Sequence, residues 1–386
     1  MNSITTLLKK NLKQSSMVIA LVLITLLFQV LTDGTLLKPL NITNLILQNS
    51  YILILAVGMV LVIITGHIDL SVGSVAAFVG AISAILMINM QMNPVLAVII
   101  CLAVGALIGA WQGFWVAYVG IPAFIVTLAG MLLFRGLTLV VLQGQSIAPY
   151  PESFQKISNG FLPDFFGGTD IHILSIVIGV AVSLILIGLE IKGRNNQLRY
   201  NFEVGSKGLF YAKLVAIFAV VNTFTYVLAT YRGLPNILVI LFIIIVAYTF
   251  VMKKTIIGRH VYAVGGNLKA ASLSGVQTKK VTFGVFVNMG VLAALSGLIF
   301  AARLNAATPR AGNLFELDAI AAVFIGGASA YGGVGTVVGA VIGGLVMGVM
   351  NNGMSILGLG IDWQQAIKGL VLLAAVAFDI INKKKS

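Results

Sequence analysis

About a dozen strongly apolar runs, separated by short polar segments, occupy this chain from Met17 to Ile381, and that alternation constrains the fold more than any motif. They are Met17–Thr32, Leu47–Thr65, Val72–Ile88, Val95–Tyr118, Ala123–Leu142 and Ile171–Leu189 in the first half. Tyr211–Thr230, Ile237–Met252, Val281–Ala301, Ala319–Ala330, Thr336–Asn351 and Gln364–Ile381 follow. A helix needs roughly 20 apolar residues to cross a hydrocarbon core. Most runs are long enough; a few are not. With 59% hydrophobic and only 9% charged residues, a soluble protein is excluded. The predicted fold is all-α, a polytopic membrane protein of about 10–12 apolar helices, some of them broken or re-entrant. No stretch is long enough for a separate soluble domain, so residues 1–386 read as a single transmembrane domain.

Loop charge sets the expected orientation. Strict alternation groups Lys9, Lys10 and Lys13 with Lys192, Arg194, Arg199 and Lys207, with Lys253–Lys280, and with the tail Lys383–Lys385. The other side receives only Lys38, Lys156, Arg232, Arg303 and Arg310. Both termini and the loop 253–280 are therefore expected in the cytoplasm, and the loop 143–170 outside. The net charge of +13 arises from these flanking basic residues, a pattern of membrane topology and not of nucleic-acid binding. The first apolar run lacks a small-residue cleavage site after it and reads as a retained anchor.

Chemistry-bearing motifs are missing from the sequence. There is no phosphate-binding G-x-x-x-x-G-K-[ST] pattern and no H-E-x-x-H. The three histidines, His67, His172 and His260, are scattered, and the one cysteine, Cys101, lies inside an apolar run. No metal, cofactor or catalytic residue is expected, and any ATP hydrolysis must reside on another chain.

Two stretches stand out instead. Lys253–Lys280 carries six basic residues and no acid, and encloses a short helix with both ends marked. Asn267 suits an N-cap, and Gly275 the left-handed position that ends a helix. Gly265 and Gly266 permit a sharp turn before it. So short a helix must dock on something, either its own bundle or a cytoplasmic partner.

Gly66–Ser74 interrupts the apolar pattern with an acid, serines and glycines. An Asp in hydrocarbon costs a few kcal/mol, so Asp69 is expected to face protein or a water-filled cavity. Ser71 and Ser74 are placed to cap the next helix, with Gly73 between them. Broken helices of this kind line transport sites and gates, whereas a plain capped turn is the competing reading. Ala328–Thr336 forms a second break, suited to irregular backbone or close packing. Glu316 and Asp318 favour a helix N-terminus. Arg232, Arg303 and Arg310 are candidates to pair with acids of an external partner, or ordinary interface residues.

Taken together, seven stretches resemble the permease subunit of bacterial ABC importers for monosaccharides, of the xylose or multiple-sugar type. They are Ile68–Ser74, Gly109–Tyr118, Ile121–Gly136, Tyr231–Pro235, Gly258–Gly275, Glu316–Ala322 and Asn351–Ser355, in order along nearly the whole chain. Gln112 stands where relatives often have Asn, and the position of His67 varies among them. The resemblance implies a permease in a bacterial inner membrane that imports a monosaccharide such as xylose and performs no chemistry. It implies an ATP-binding subunit, an extracytoplasmic sugar-binding protein and a second permease copy as partners, besides membrane lipid. It places ATPase coupling on Gly258, Arg259, Gly265, Gly266, Asn267, Ala270, Ala271, Ser274 and Gly275. Asp69, Ser71, Gly73 and Ser74 are then pathway or gate residues, and Arg232, Arg303 and Arg310 docking residues for the binding protein. The rival expectations are an ABC permease for a nucleoside, an amino acid or a signalling furanose, and an ion-coupled secondary transporter. The latter needs titratable groups at mid-membrane, and Asp69 is its one persuasive candidate.

Overall fold

The structure, a computed structural model, describes residues 2–167, 171–202 and 204–384, with side chains described over 17–167, 171–202 and 204–377. The side chains of Lys9, Lys10, Lys13 and Lys383–Lys385, and the whole of Asp170, lie outside the described residues.

Helix α1 (Asn2–Leu31) carries the first apolar run and is followed by α2 (Pro39–Ile64), α3 (Val72–Asn89), α4 (Pro94–Val119) and α5 (Ala123–Leu142). After the short α6 (Glu152–Asn159) come α7 (Ile173–Arg199), α8 (Lys207–Ala229) and α9 (Asn236–Lys254). Two short helices, α10 (Ile256–Gly266) and α11 (Leu268–Leu273), lead into α12 (Thr278–Leu304). The chain closes with α13 (Phe315–Ile325), α14 (Val337–Ile356) and α15 (Ile361–Lys384). Among the described residues nine helices are long and apolar enough to cross a membrane, and Met17–Leu31 is a shorter apolar segment. The described residues hold helices and two isolated bridges, so the all-α polytopic expectation is met.

Burial sorts the helices. The most apolar window of α2 is 83% buried and those of α12 and α14 are 72% buried, against 17% for α7 and α8. The first three form the axis of the bundle; the α7–α8 hairpin lies at its edge. Hydrophobic collapse does not separate helix from lipid, so close approach depends on small residues. Gly105 and Gly109 of α4 meet Gly290 of α12 in this way, and a Cβ on Gly109 would lie 2.9 Å from the Cα of Val287.

Three boundaries differ from those read off the apolar runs. Helix α2 begins at Pro39, two turns before Leu47, because its polar start is satisfied by neighbours. Asn41 donates to the side-chain oxygen of Asn352 at 2.7 Å, and Asn352 donates back at 3.1 Å. Helix α7 runs on through Lys192 and Arg194 to Arg199. Helix α13 has only 11 residues, about 16 Å at 1.5 Å per residue, and cannot cross alone.

The loop after α5 is folded onto the bundle. Tyr150 and Phe154 are buried in it, and the Tyr150 hydroxyl meets Ser83 at 2.7 Å and the Gly80 carbonyl at 3.0 Å. Further along, Asp164 accepts from the backbone N–H groups of Phe166, Ile173 and Leu174 and so closes the start of α7. Desolvation opposes the effect, but the three donors together outweigh it and hold the Asp164 carboxyl below its usual range.

Candidate functional site

The break between α2 and α3 is tucked inside the bundle. Asp69 is 2% exposed, and Ser71 and Ser74 are fully buried. One oxygen of Asp69, Oδ1, accepts both the N–H of Ser71 (2.8 Å) and its hydroxyl (2.6 Å). The Ser71 hydroxyl in turn accepts from Gln112 Nε2 of α4 at 2.7 Å. Gly130 of α5 leaves room for that amide, since a Cβ there would lie 2.6 Å from Gln112 Nε2. A buried chain Asp69–Ser71–Gln112 therefore ties the break to α4. Such networks are stable when each member is satisfied, because an unpaired buried polar group is costly. Ser71 does occupy the cap position of α3, but its side chain makes no capping bond, and Ser74 bonds back to the Ser71 carbonyl at 2.8 Å. The expected serine caps are replaced by an Asp69 turn.

A second irregular segment, 305–314, meets this break. Arg135 of α5 donates to the carbonyls of Ala311 (2.6 Å) and Gly312 (3.2 Å), fixing the segment before α13. Gly312 and Gly73 pack backbone on backbone, and the Glu316 carboxylate lies against Gly73. Glu316 Oε2 is buried and has no hydrogen-bond partner among the described residues. Asp318, two residues on, pairs with Lys368 of α15 at 2.8 Å. Both acids do sit in the first turn of α13. Arg135 and Lys368 are not among the site residues expected from the sequence. Each is a single basic residue inside an apolar run, and that is the signal by which they can be found.

Three glycine-containing turns converge at the end of α2. The N–H of Gly333 donates to the Ile64 carbonyl at 2.8 Å, and Tyr262 of α10 donates its hydroxyl to the Gly335 carbonyl at 2.7 Å. Gly265 is pressed against Ile64, and a Cβ on it would lie 2.8 Å from the Gly333 nitrogen. The segment Ala328–Thr336 thus both bends and packs, joining the α2 break to α10.

Helix α11 forms as the sequence predicts. Asn267 accepts from the Ala270 N–H at 3.0 Å, and Gly275 has φ +85°. Its faces are unequal: Ala271 is buried at 5% exposure, whereas Leu273 is 90% exposed. Ala270, Ser274, Gly266 and Arg259 are also exposed; Gly258 is buried against the Met252 backbone. At the far end of the bundle, Arg232 is exposed and lies over Phe161 (5.9 Å) and Tyr231 (5.6 Å). Arg310 is exposed too. Arg303 is half-buried, with Nη1 shut off from solvent and without a partner among the described residues. Asn159 of α6 donates to the Arg303 carbonyl at 3.0 Å.

Among the described residues there is no His, Cys, Asp and Glu grouping able to hold a metal ion. No solved structure matches the chain. Curated relatives do. A xylose transport system permease protein of Haemophilus influenzae is 42% identical over 97% of this chain and 98% of that protein. Its Escherichia coli counterpart is 38% identical over 97% of this chain and 94% of that protein. A ribose import permease protein of Escherichia coli is 36% identical over 89% of this chain and 86% of that protein. These relatives are permeases of sugar transport systems. Residues 41–376 match the family described as branched-chain amino acid transport system / permease component, and this multi-pass membrane chain belongs to that family.

Proposed function

We propose that this chain is the membrane-spanning subunit of a bacterial ATP-driven importer that carries a monosaccharide, xylose or a similar pentose or hexose, into the cytoplasm. The observation that carries the reading is the match to xylose permeases over 97% of the chain. The buried break supports it: Asp69, Ser71 and Gln112 form a hydrogen-bonded polar chain at an interrupted helix, the kind of broken segment that lines transport sites. ATP hydrolysis belongs to a separate chain, and a second permease copy completes the pathway within the bacterial inner membrane.

In this reading both termini and residues 253–280 face the cytoplasm, and residues 143–170 face outward. The exposed side of α11, with Leu273 at its tip, seats in the ATP-binding subunit as a helix in a groove. Gly265 and Gly266 transmit its movement to Ile64 and Gly333, and so to the break that holds Asp69, Ser71, Gly73 and Ser74. Arg232 and Arg310 meet the sugar-binding protein, and Arg303 supports that surface from below.

The test is uptake by vesicles in which the chain is reconstituted with an ATP-binding subunit and a sugar-binding protein encoded beside it. ATP-dependent accumulation of D-xylose or D-ribose is expected. Accumulation of leucine alone would transfer the chain to amino-acid import. Uptake driven by a proton or sodium gradient without ATP would make it a secondary transporter.

A further inference from the structure

A cavity of about 330 Å³ lies between α2, the start of α13, the end of α14 and the start of α15. Its polar wall is unusual for a membrane interior, where such groups are expensive and mark function. Gln48, Asn351 and Gln365 contribute amides, and Asp318 and Lys368 contribute their ion pair. The floor is aromatic: Tyr51 lies against Phe315 with ring centroids 4.1 Å apart.

The chemistry of this lining is selective. The carboxylate and ammonium neutralise each other, so the cavity carries no net charge with which to attract an ion. Of the three donors of Lys368, the pair with Asp318 uses one. The side-chain oxygen of Asn351 is buried and has no hydrogen-bond partner among the described residues. Each amide offers a donor and an acceptor side by side, the pattern that adjacent hydroxyls require. An aromatic face beneath them suits the C–H side of a sugar ring. The volume lies at the lower end of the range for small-molecule sites, as a single monosaccharide needs.

Position adds to this. Gln48 lies about 24 Å along α2 from Ile64, at 1.5 Å per residue, so the cavity sits far from the glycine junction beneath α10. The geometry points to a monosaccharide-binding way-station inside one protomer, filled before sugar reaches the Asp69 break. This inference rests on the sugar-importer reading and assigns a site to it.

The test uses the full chain in lipid nanodiscs. Cys101 is fully buried, so it can remain in place while Ser355→Cys and Gln365→Cys put single reactive thiols on the cavity rim. The rate of modification by a small charged methanethiosulfonate reagent is measured with D-xylose, with D-ribose, and with sucrose as a control too large for the cavity. One of the two pentoses is expected to slow modification several-fold at both positions, with sucrose inert. Asn351→Leu in the Ser355→Cys background is expected to abolish that protection. Equal rates in pentose and sucrose, or thiols unreactive under all conditions because another chain covers them, would overturn the inference. ATP-driven pentose uptake by the same variants, reconstituted into vesicles with an ATP-binding subunit and a sugar-binding protein, separates the outcomes. Intact uptake without protection removes only the way-station, whereas absent wild-type uptake removes the importer reading itself.

Discussion

Gly73 and Gly312 lie backbone to backbone, each occupying the space in which the other would carry a Cβ. Through this contact the break after α2 and the irregular segment before α13 cross inside the bundle. Arg135 holds one side of the crossing and the Asp69–Ser71–Gln112 chain the other.

The crossing makes a steric prediction. Gly73→Ala is expected to destabilise the protein by about 2 kcal/mol or more, because backbone atoms cannot move aside as side chains do. Gly312→Ala adds roughly 1 kcal/mol for its φ of +68°. Gly136→Ala, in α5 with nothing within 4 Å, is expected to be neutral or slightly stabilising. Thermal unfolding in detergent orders the three variants; equal midpoints for Gly73→Ala and Gly136→Ala would refute the crossing.

The two faces of α11 predict opposite failures. Leu273→Asp is expected to leave the chain folded and lose the ATP-binding subunit on co-purification. Ala271→Glu puts a carboxylate into a buried site and is expected to lower the unfolding temperature of the permease itself. A stable Ala271→Glu chain, or a Leu273→Asp chain that retains its partner and its uptake, would show that this helix is seated differently.

The arginines also part company. Arg232→Glu and Arg310→Glu are expected to weaken capture of the sugar-binding protein, more so at low salt than at high. Arg303→Glu is expected to act on folding, since part of its guanidinium is enclosed. Binding measured against ionic strength, alongside unfolding temperature, distinguishes them.

Asp164 predicts a pH effect. Its carboxyl is held below the usual range in the folded chain, so its support for the start of α7 is complete above that range and lost as pH falls through the lowered value. Hydrogen exchange at Ile173 and Leu174 is expected to rise in Asp164→Ala at neutral pH, and to differ little from wild type once acid has protonated the wild-type group.

Apolar length made the all-α membrane architecture legible, and the α11 helix was legible residue by residue from Asn267 to Gly275. Local chemistry decides those features. The boundaries that failed depend on distant partners. Asn41 continues α2 because Asn352 answers it, and nothing near residue 41 reveals that. The segment 305–314 folds inward because Arg135 binds its carbonyls. The pair of Asp318 and Lys368 joins residues fifty positions apart and is likewise invisible to a local reading. The acid at Asp69 was legible as out of place; its bond to Ser71 and the reach of Gln112 were not.

Asp69 supplies the most direct measurement. Asp69→Asn keeps an oxygen that can accept both Ser71 bonds, so insertion, stability and assembly with the ATP-binding subunit are expected to stay normal. Asp69→Ala leaves the buried Ser71 N–H unpaired and is expected to cost about 1–3 kcal/mol. ATP hydrolysis and sugar uptake are measured in the same vesicles with the sugar-binding protein saturating. If the break is part of the transport machinery, Asp69→Asn slows uptake at least several-fold or hydrolyses ATP without matching import. Wild-type uptake per ATP in Asp69→Asn, beside a destabilised Asp69→Ala, would show that the carboxylate only shapes the turn.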